Sequence, residues 1–146
     1  MIITYHTDGV EMPQLDENFI QLWIKKIASK YNRRVGEITY IFCSDEKILE
    51  VNKAYLQHDY YTDIITFDYC KGDLIAGDLF ISLDTVKSNS EQLSTPYTEE
   101  FLRTVIHGIL HLCGINDKGP GEREIMEQQE NEALAEYKLI ANTPSL

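Results

Sequence analysis

The sequence predicts one α/β domain, of the α+β type, with a small mixed four-stranded sheet packed with about five helices. Three observations predict it. The length, 146 residues, suits a single domain around one core. Four runs rich in β-branched and aromatic residues, near 2–7, 38–43, 63–69 and 75–83, read as strands. Stretches with apolar residues at helical spacing lie between and after them, the alternation that puts helices around a sheet. No repeat, low-complexity segment or linker interrupts the chain, so 1–146 is expected to be a single domain.

Taken in order, residues 2–7 give a short first strand. Pro13 and Asp16 precede a helix over about 16–32, with Phe19, Ile20, Trp23, Ile24 and Ile27 at helical spacing. Gly36 marks a break before the central strand Ile38–Cys43. Ser44 or Asp45 can cap a helix over about 46–55, with Ile48, Leu49 and Val51 turned inward. The polar and aromatic stretch Gln57–Asp63 reads as a loop, and 63–69 as a strand. Lys71-Gly-Asp73 is a turn signal between two strand-like runs, hence a hairpin into 75–83. A helix over about 84–92 follows. Thr95-Pro96 with Glu99 and Glu100 supplies a cap, an early proline and acids in the first turn of a helix over 97–113. After the loop Gly119-Pro-Gly121, a last helix runs over about 121–140, with Ile125, Met126, Leu134 and Leu139 inward.

Composition bounds the function classes. Hydrophobic content of 43% and charged content of 25% are ordinary for a globular domain. No apolar run reaches the roughly 20 residues that cross a membrane. The first residues, Met1 to His6, lack the basic and long apolar regions of a secretory signal. Cys43, Cys70 and Cys113 are odd in number with no C-x-x-C, which fits a cytoplasmic protein with thiols in its core. A net charge of −11 opposes general adhesion to nucleic acid, so no DNA and no membrane partner is expected. An RNA role needs a local basic patch. Lys25, Lys26, Lys30, Arg33 and Arg34 lie within ten residues with no acid among them, and read either as that patch or as a solvated helix face.

The chemistry is concentrated in His107-Gly-Ile-Leu-His111-Leu-Cys-Gly114-Ile-Asn-Asp117. Histidines four apart on a helix project from one face, one turn above the other. Gly114 can end the helix in a left-handed turn, so that Asp117 returns as a third ligand. Two imidazoles, one carboxylate and an open position describe a catalytic zinc site better than a structural one. Phe101, Leu102, Val105, Ile106, Ile109, Leu110 and Cys113 form a broad apolar arc, leaving Glu100, Thr104, His107 and His111 as a polar strip. Buried histidines need partners, and a shared metal is one. Zincin proteases carry their glutamate base next to the first histidine; that place is Gly108 here, which counts against peptidase chemistry. Asp59, Asp63, Glu122 and Glu124 are the candidate bases. Spacing alone leaves open whether the target is a carbonyl or a phosphodiester.

The stretch resembles the YbeY family of bacterial rRNA-maturation endoribonucleases, whose motif is H-G-x-L-H-L-x-G-Y-D-H. The family pattern N-x-x-Y-R-x-x-D-x-P-T-D-V-L-S-F is similar to Asn52, Tyr55, Asp59, Thr62, Asp63 and Phe67, and G-D-I-x-I-S to Gly77-Asp78-Leu-Phe-Ile-Ser82. The resemblance spans most of the chain after residue 50. It implies a zinc-dependent, single-strand-specific endoribonuclease of the cytoplasm, holding one zinc ion per chain. It implies work in 16S rRNA 3′-end maturation and ribosome quality control, with rRNA and the ribosome or small-subunit proteins as partners. His107 and His111 carry over as metal ligands. Two departures stand out. The third family histidine is Asp117, and the family arginine expected at RNA phosphate is Leu56. Arg103, one turn before His107, is the candidate replacement for that arginine; Asp59 and Asp63 are candidates to position water or a ribose hydroxyl. Two other readings stay open: a ribosome-assembly protein with a structural metal and little activity, and a metallohydrolase of another substrate.

Overall fold

The structure, a computed structural model, describes residues 1–56 and 62–142. Its elements run β1 (Ile2–Asp8), α1 (Glu17–Lys30), β2 (Arg34–Cys43), α2 (Asp45–Leu56), β3 (Ile64–Asp68), β4 (Leu74–Ser82), α3 (Leu83–Leu93), α4 (Tyr97–Leu112) and α5 (Glu122–Ala141). This is the expected α/β architecture, with five helices around a four-stranded mixed sheet among the described residues. The sheet order is β1-β2-β4-β3. β1, β2 and β4 are parallel, and β3 returns antiparallel on β4 through the hairpin at 71–73. Among the described residues, no helix is long and apolar enough to cross a membrane.

Strand alternation puts Ile38, Tyr40 and Phe42 of β2, and Ile75, Leu79 and Ile81 of β4, on one face of the sheet. α1 and α4 cover that face, and α5 packs on both of them. Trp23 and Ile24 come from α1, Val105, Ile106, Ile109 and Leu110 from α4, and Met126, Ala133 and Leu134 from α5. Two hydrogen bonds fix how the layers meet: Trp23 Nε1 donates to the Ala133 carbonyl at 2.9 Å, and the Tyr40 hydroxyl donates to the Val105 carbonyl at 2.9 Å. The opposite face is covered by α2 through a smaller cluster of Cys43, Ile48, Val51 and Ile65.

Several expectations need correction. Gly36 does not break β2; it sits at a register shift between Val35 and Ile38, where a Cβ would lie 3.0 Å from the Ile75 carbonyl oxygen. The residue before α4 is Pro96, with no side-chain cap, and the buried Thr95 hydroxyl finds no hydrogen-bond partner among the described residues rather than serving as a cap. On α5, Ile125 and Leu139 are exposed, at 54% and 64%, while Glu130 and Ala133 are buried beside Met126 and Leu134. The buried stripe is therefore rotated around α5 from its expected position, and it carries a carboxylate.

Candidate functional site

The site is laid out along α4. Its apolar arc lies on β3 and β4, and Gly108 is the point of closest approach. A Cβ at Gly108 would meet Ile64 Cδ1 at 3.0 Å and Leu79 Cδ2 at 3.1 Å. A glutamate there would be driven into the sheet, so the missing zincin base has a packing cause. Gly77 does the same for the hairpin: a Cβ would lie 2.5 Å from the Phe67 carbonyl oxygen. The helix ends at Leu112, and Gly114 takes φ +99° as the turn requires, bringing Asp117 back toward His107.

The polar strip expected on α4 exists, and α5 packs beside it. Glu100 and Thr104 are buried, at 6% and 2% exposure. The Thr104 hydroxyl donates to the Glu100 carbonyl at 2.9 Å. His107 Nδ1 lies 2.6 Å from Glu130 Oε2, and His107 Nε2 lies 3.3 Å from Asp117 Oδ2. Glu130 also accepts from Arg103 Nη1 at 3.1 Å, through its other oxygen, while Arg103 Nη2 donates to Asn131 Oδ1 at 2.7 Å. A carboxylate accepting from a guanidinium is an acceptor for its other neighbour too, so His107 donates from Nδ1.

Electrostatics follow from this crowding. Burial pushes the His107 imidazole down, but the Glu130 hydrogen bond and the charges of Glu130, Asp63 and Asp117 more than offset it, and its pKa is raised. Burial raises the Asp63 carboxyl, and the His107 charge pulls part of that back; backbone N–H groups of Asp63 and Ile64 also hold the ionised form. Burial likewise raises Glu100, partly opposed by Arg103. Several carboxyl groups thus converge on one imidazole, an environment that favours positive charge at its centre.

Of the residues singled out in the sequence, the structure brings His107, Asp117 and Asp63 together. His111 lies one turn further along α4, half-buried. Among the described residues, no three His, Cys, Asp or Glu side chains are drawn into one metal-holding group. The donor types nevertheless fit a divalent cation. His107 and Asp117 face each other, and the far nitrogen of His107 is held by a carboxylate, the outer-shell arrangement that orients ligating imidazoles. Arg103 does not stand free for phosphate, because its two terminal nitrogens are bonded to Glu130 and Asn131. Asp59 lies outside the described residues. In the basic segment 25–34, read either as a patch or as a solvated helix face, Lys26 pairs with Glu136, Lys30 with Glu132 and Arg34 with Asp73.

Sequence reasoning missed Glu130. The available signal was a carboxylate at helical spacing between Met126 and Ala133–Leu134, inside an otherwise apolar stripe.

By fold and site the protein is a small α/β domain with one imidazole set among carboxylates on a helix laid across the sheet. Comparison with known proteins gives the family. The profile described as endoribonuclease YbeY matches residues 3–138, and the chain belongs to that family. Relatives named endoribonuclease YbeY include those of Bacteroides fragilis, 70% identical over 94% of this chain and 99% of its own, and of Bacteroides thetaiotaomicron, 67% identical over 92% and 98%. That of Porphyromonas gingivalis is 49% identical over 90% of this chain and 87% of its own. The solution structure of TM1509 from Thermotoga maritima shares the fold, with a TM-score of 0.62, 24% identity and coverage of 99% of this chain and 97% of that one.

Proposed function

We propose that this protein is a zinc-dependent, single-strand-specific endoribonuclease of the cytoplasm, working on rRNA in 16S 3′-end maturation and ribosome quality control, in contact with the ribosome or small-subunit proteins. Family membership over residues 3–138 supports the nuclease reading. The observation that carries the metal reading is the His107 imidazole, fixed by Glu130 and facing Asp117 among further carboxyl groups.

In this reading His107, His111 and Asp117 hold one ion per chain. A divalent ion there supplies Lewis acidity toward a phosphodiester. Asp63, with its proton affinity raised by burial, accepts a proton from water or a ribose hydroxyl. Asp59 is the second candidate for that task. Arg103 acts through Glu130 in this account, since its guanidinium is already bonded there. That commitment, together with the net charge of −11, favours one competing reading: an assembly factor with a structural metal and weak cleavage.

The test measures zinc content and cleavage of a single-stranded RNA for the wild type and His111→Ala. Stoichiometric zinc with cleavage, both lost in His111→Ala, supports the nuclease. Zinc without cleavage favours the assembly factor. Absence of zinc from protein purified without chelators and then offered the metal removes both.

A further inference from the structure

We propose that Glu130, on α5, is a positioning residue for the metal-facing imidazole: it holds the His107 proton on Nδ1 and thereby aims Nε2 at the ion. This rests on the reading of His107 as a ligand.

The geometry is specific. Glu130 is 8% exposed and offers each oxygen to a different neighbour. Oε2 accepts from His107 Nδ1 at 2.6 Å, and Oε1 accepts from Arg103 Nη1 at 3.1 Å. Arg103 is in turn held by Asn131, on α5 beside Glu130. The carboxylate is therefore held at Oε1 by Arg103, itself anchored on Asn131, while Oε2 meets the imidazole. An imidazole with its Nδ1 proton engaged has only Nε2 to offer as a lone-pair donor, and Nε2 is the atom that faces Asp117. Fixing tautomer and ring plane in advance leaves less ordering to be done on binding and makes the free nitrogen more basic; loss of such an outer carboxylate typically weakens metal affinity about 10- to 100-fold.

A simpler account makes Glu130 only the tie between α4 and α5. The two differ in what a conservative change does. Glu130→Gln keeps size, a carbonyl acceptor for Nδ1–H and much of the packing, but removes the charge. Zinc affinity is measured by competition with a chromogenic chelator for the wild type, Glu130→Gln, Glu130→Asp and His107→Ala, alongside thermal unfolding of each metal-free protein. The expected result is a loss of about 10- to 100-fold in zinc affinity for Glu130→Gln, with metal-free stability close to wild type and partial recovery in Glu130→Asp. Long-range 1H–15N spectra of the zinc-loaded wild type should show His107 protonated on Nδ1 and metallated on Nε2.

Zinc affinity unchanged in Glu130→Gln but abolished in His107→Ala overturns the role of Glu130 and leaves the metal reading standing. Zinc on Nδ1 overturns it as well. A wild type that binds no zinc, or a His107→Ala that binds it fully, removes the metal reading and this inference with it.

Discussion

The two faces of α4 follow different rules. Toward the sheet, the helix presents Val105, Ile106, Ile109 and Leu110 at 1% exposure or less, with Gly108 admitting the backbone close to β3 and β4. Fit decides everything there, and each residue agrees with its neighbours. On its polar side, the same helix presents His107 to Glu130, Asp117 and Asp63, with Glu100 and Thr104 buried along the same strip. Carboxyl groups outnumber cations on that side, and burial raises the pKa of two of them. A helix selected for stability alone would not keep such an arrangement. The contrast teaches that one face holds the helix in place and the other uses that rigidity to hold an unfavourable charge cluster, as functional sites do.

Breaking the fitted face should have the largest effect. Gly108→Glu drives a charged side chain against Ile64 and Leu79. It is expected to cost more than about 5 kcal/mol, which denaturant titration would register as loss of the cooperative transition. Ile109→Ala empties a fully buried site and should cost about 2–5 kcal/mol by the same measurement. On the polar face, Arg103→Ala removes one of the two partners of Glu130 and should cost about 2 kcal/mol, less than the apolar truncation because Arg103 is partly solvated. Tyr40→Phe removes only the hydroxyl bonded to the Val105 carbonyl, and about 1 kcal/mol is expected. The smallest effect concerns Cys113, at the end of α4, whose thiol burial pushes up to about 11. Its thiolate should be scarce at pH 8, so alkylation should wait for unfolding. Because the unfolded thiol ionises first, its influence on stability is a decline as pH rises from its ordinary value near 9 toward about 11. Rapid labelling of Cys113 in the native state would show the apolar face to be less closed than described.

Much of α4 was legible because its apolar arc repeats at 3.6 residues and Gly114 marks its end. The hairpin was legible from Lys71-Gly-Asp73, and the family from three ordered motifs after residue 50, although the family profile extends back to residue 3. The phase of α5 was not legible. Ile125 and Leu139 outrank Glu130 and Ala133 in hydrophobicity, yet packing against Trp23 and the needs of Arg103 and His107 choose the other face. The basic segment stayed open between a patch and a solvated helix face for a related reason: composition within ten residues says nothing about Glu132, Glu136 and Asp73, which are distant in sequence and adjacent in space. Charge partners of high sequence separation are what a local reading misses.

That the partner of His107 comes from α5 also bears on the order of synthesis. An N-terminal fragment that ends between residues 117 and 129 contains the histidine motif but lacks the carboxylate that fixes it, the arginine's counter-charge and the surface that closes over Trp23. While such a chain is still emerging from the ribosome, its histidines are present without their geometry. The arrangement is completed only when α5 has emerged and docked on α4.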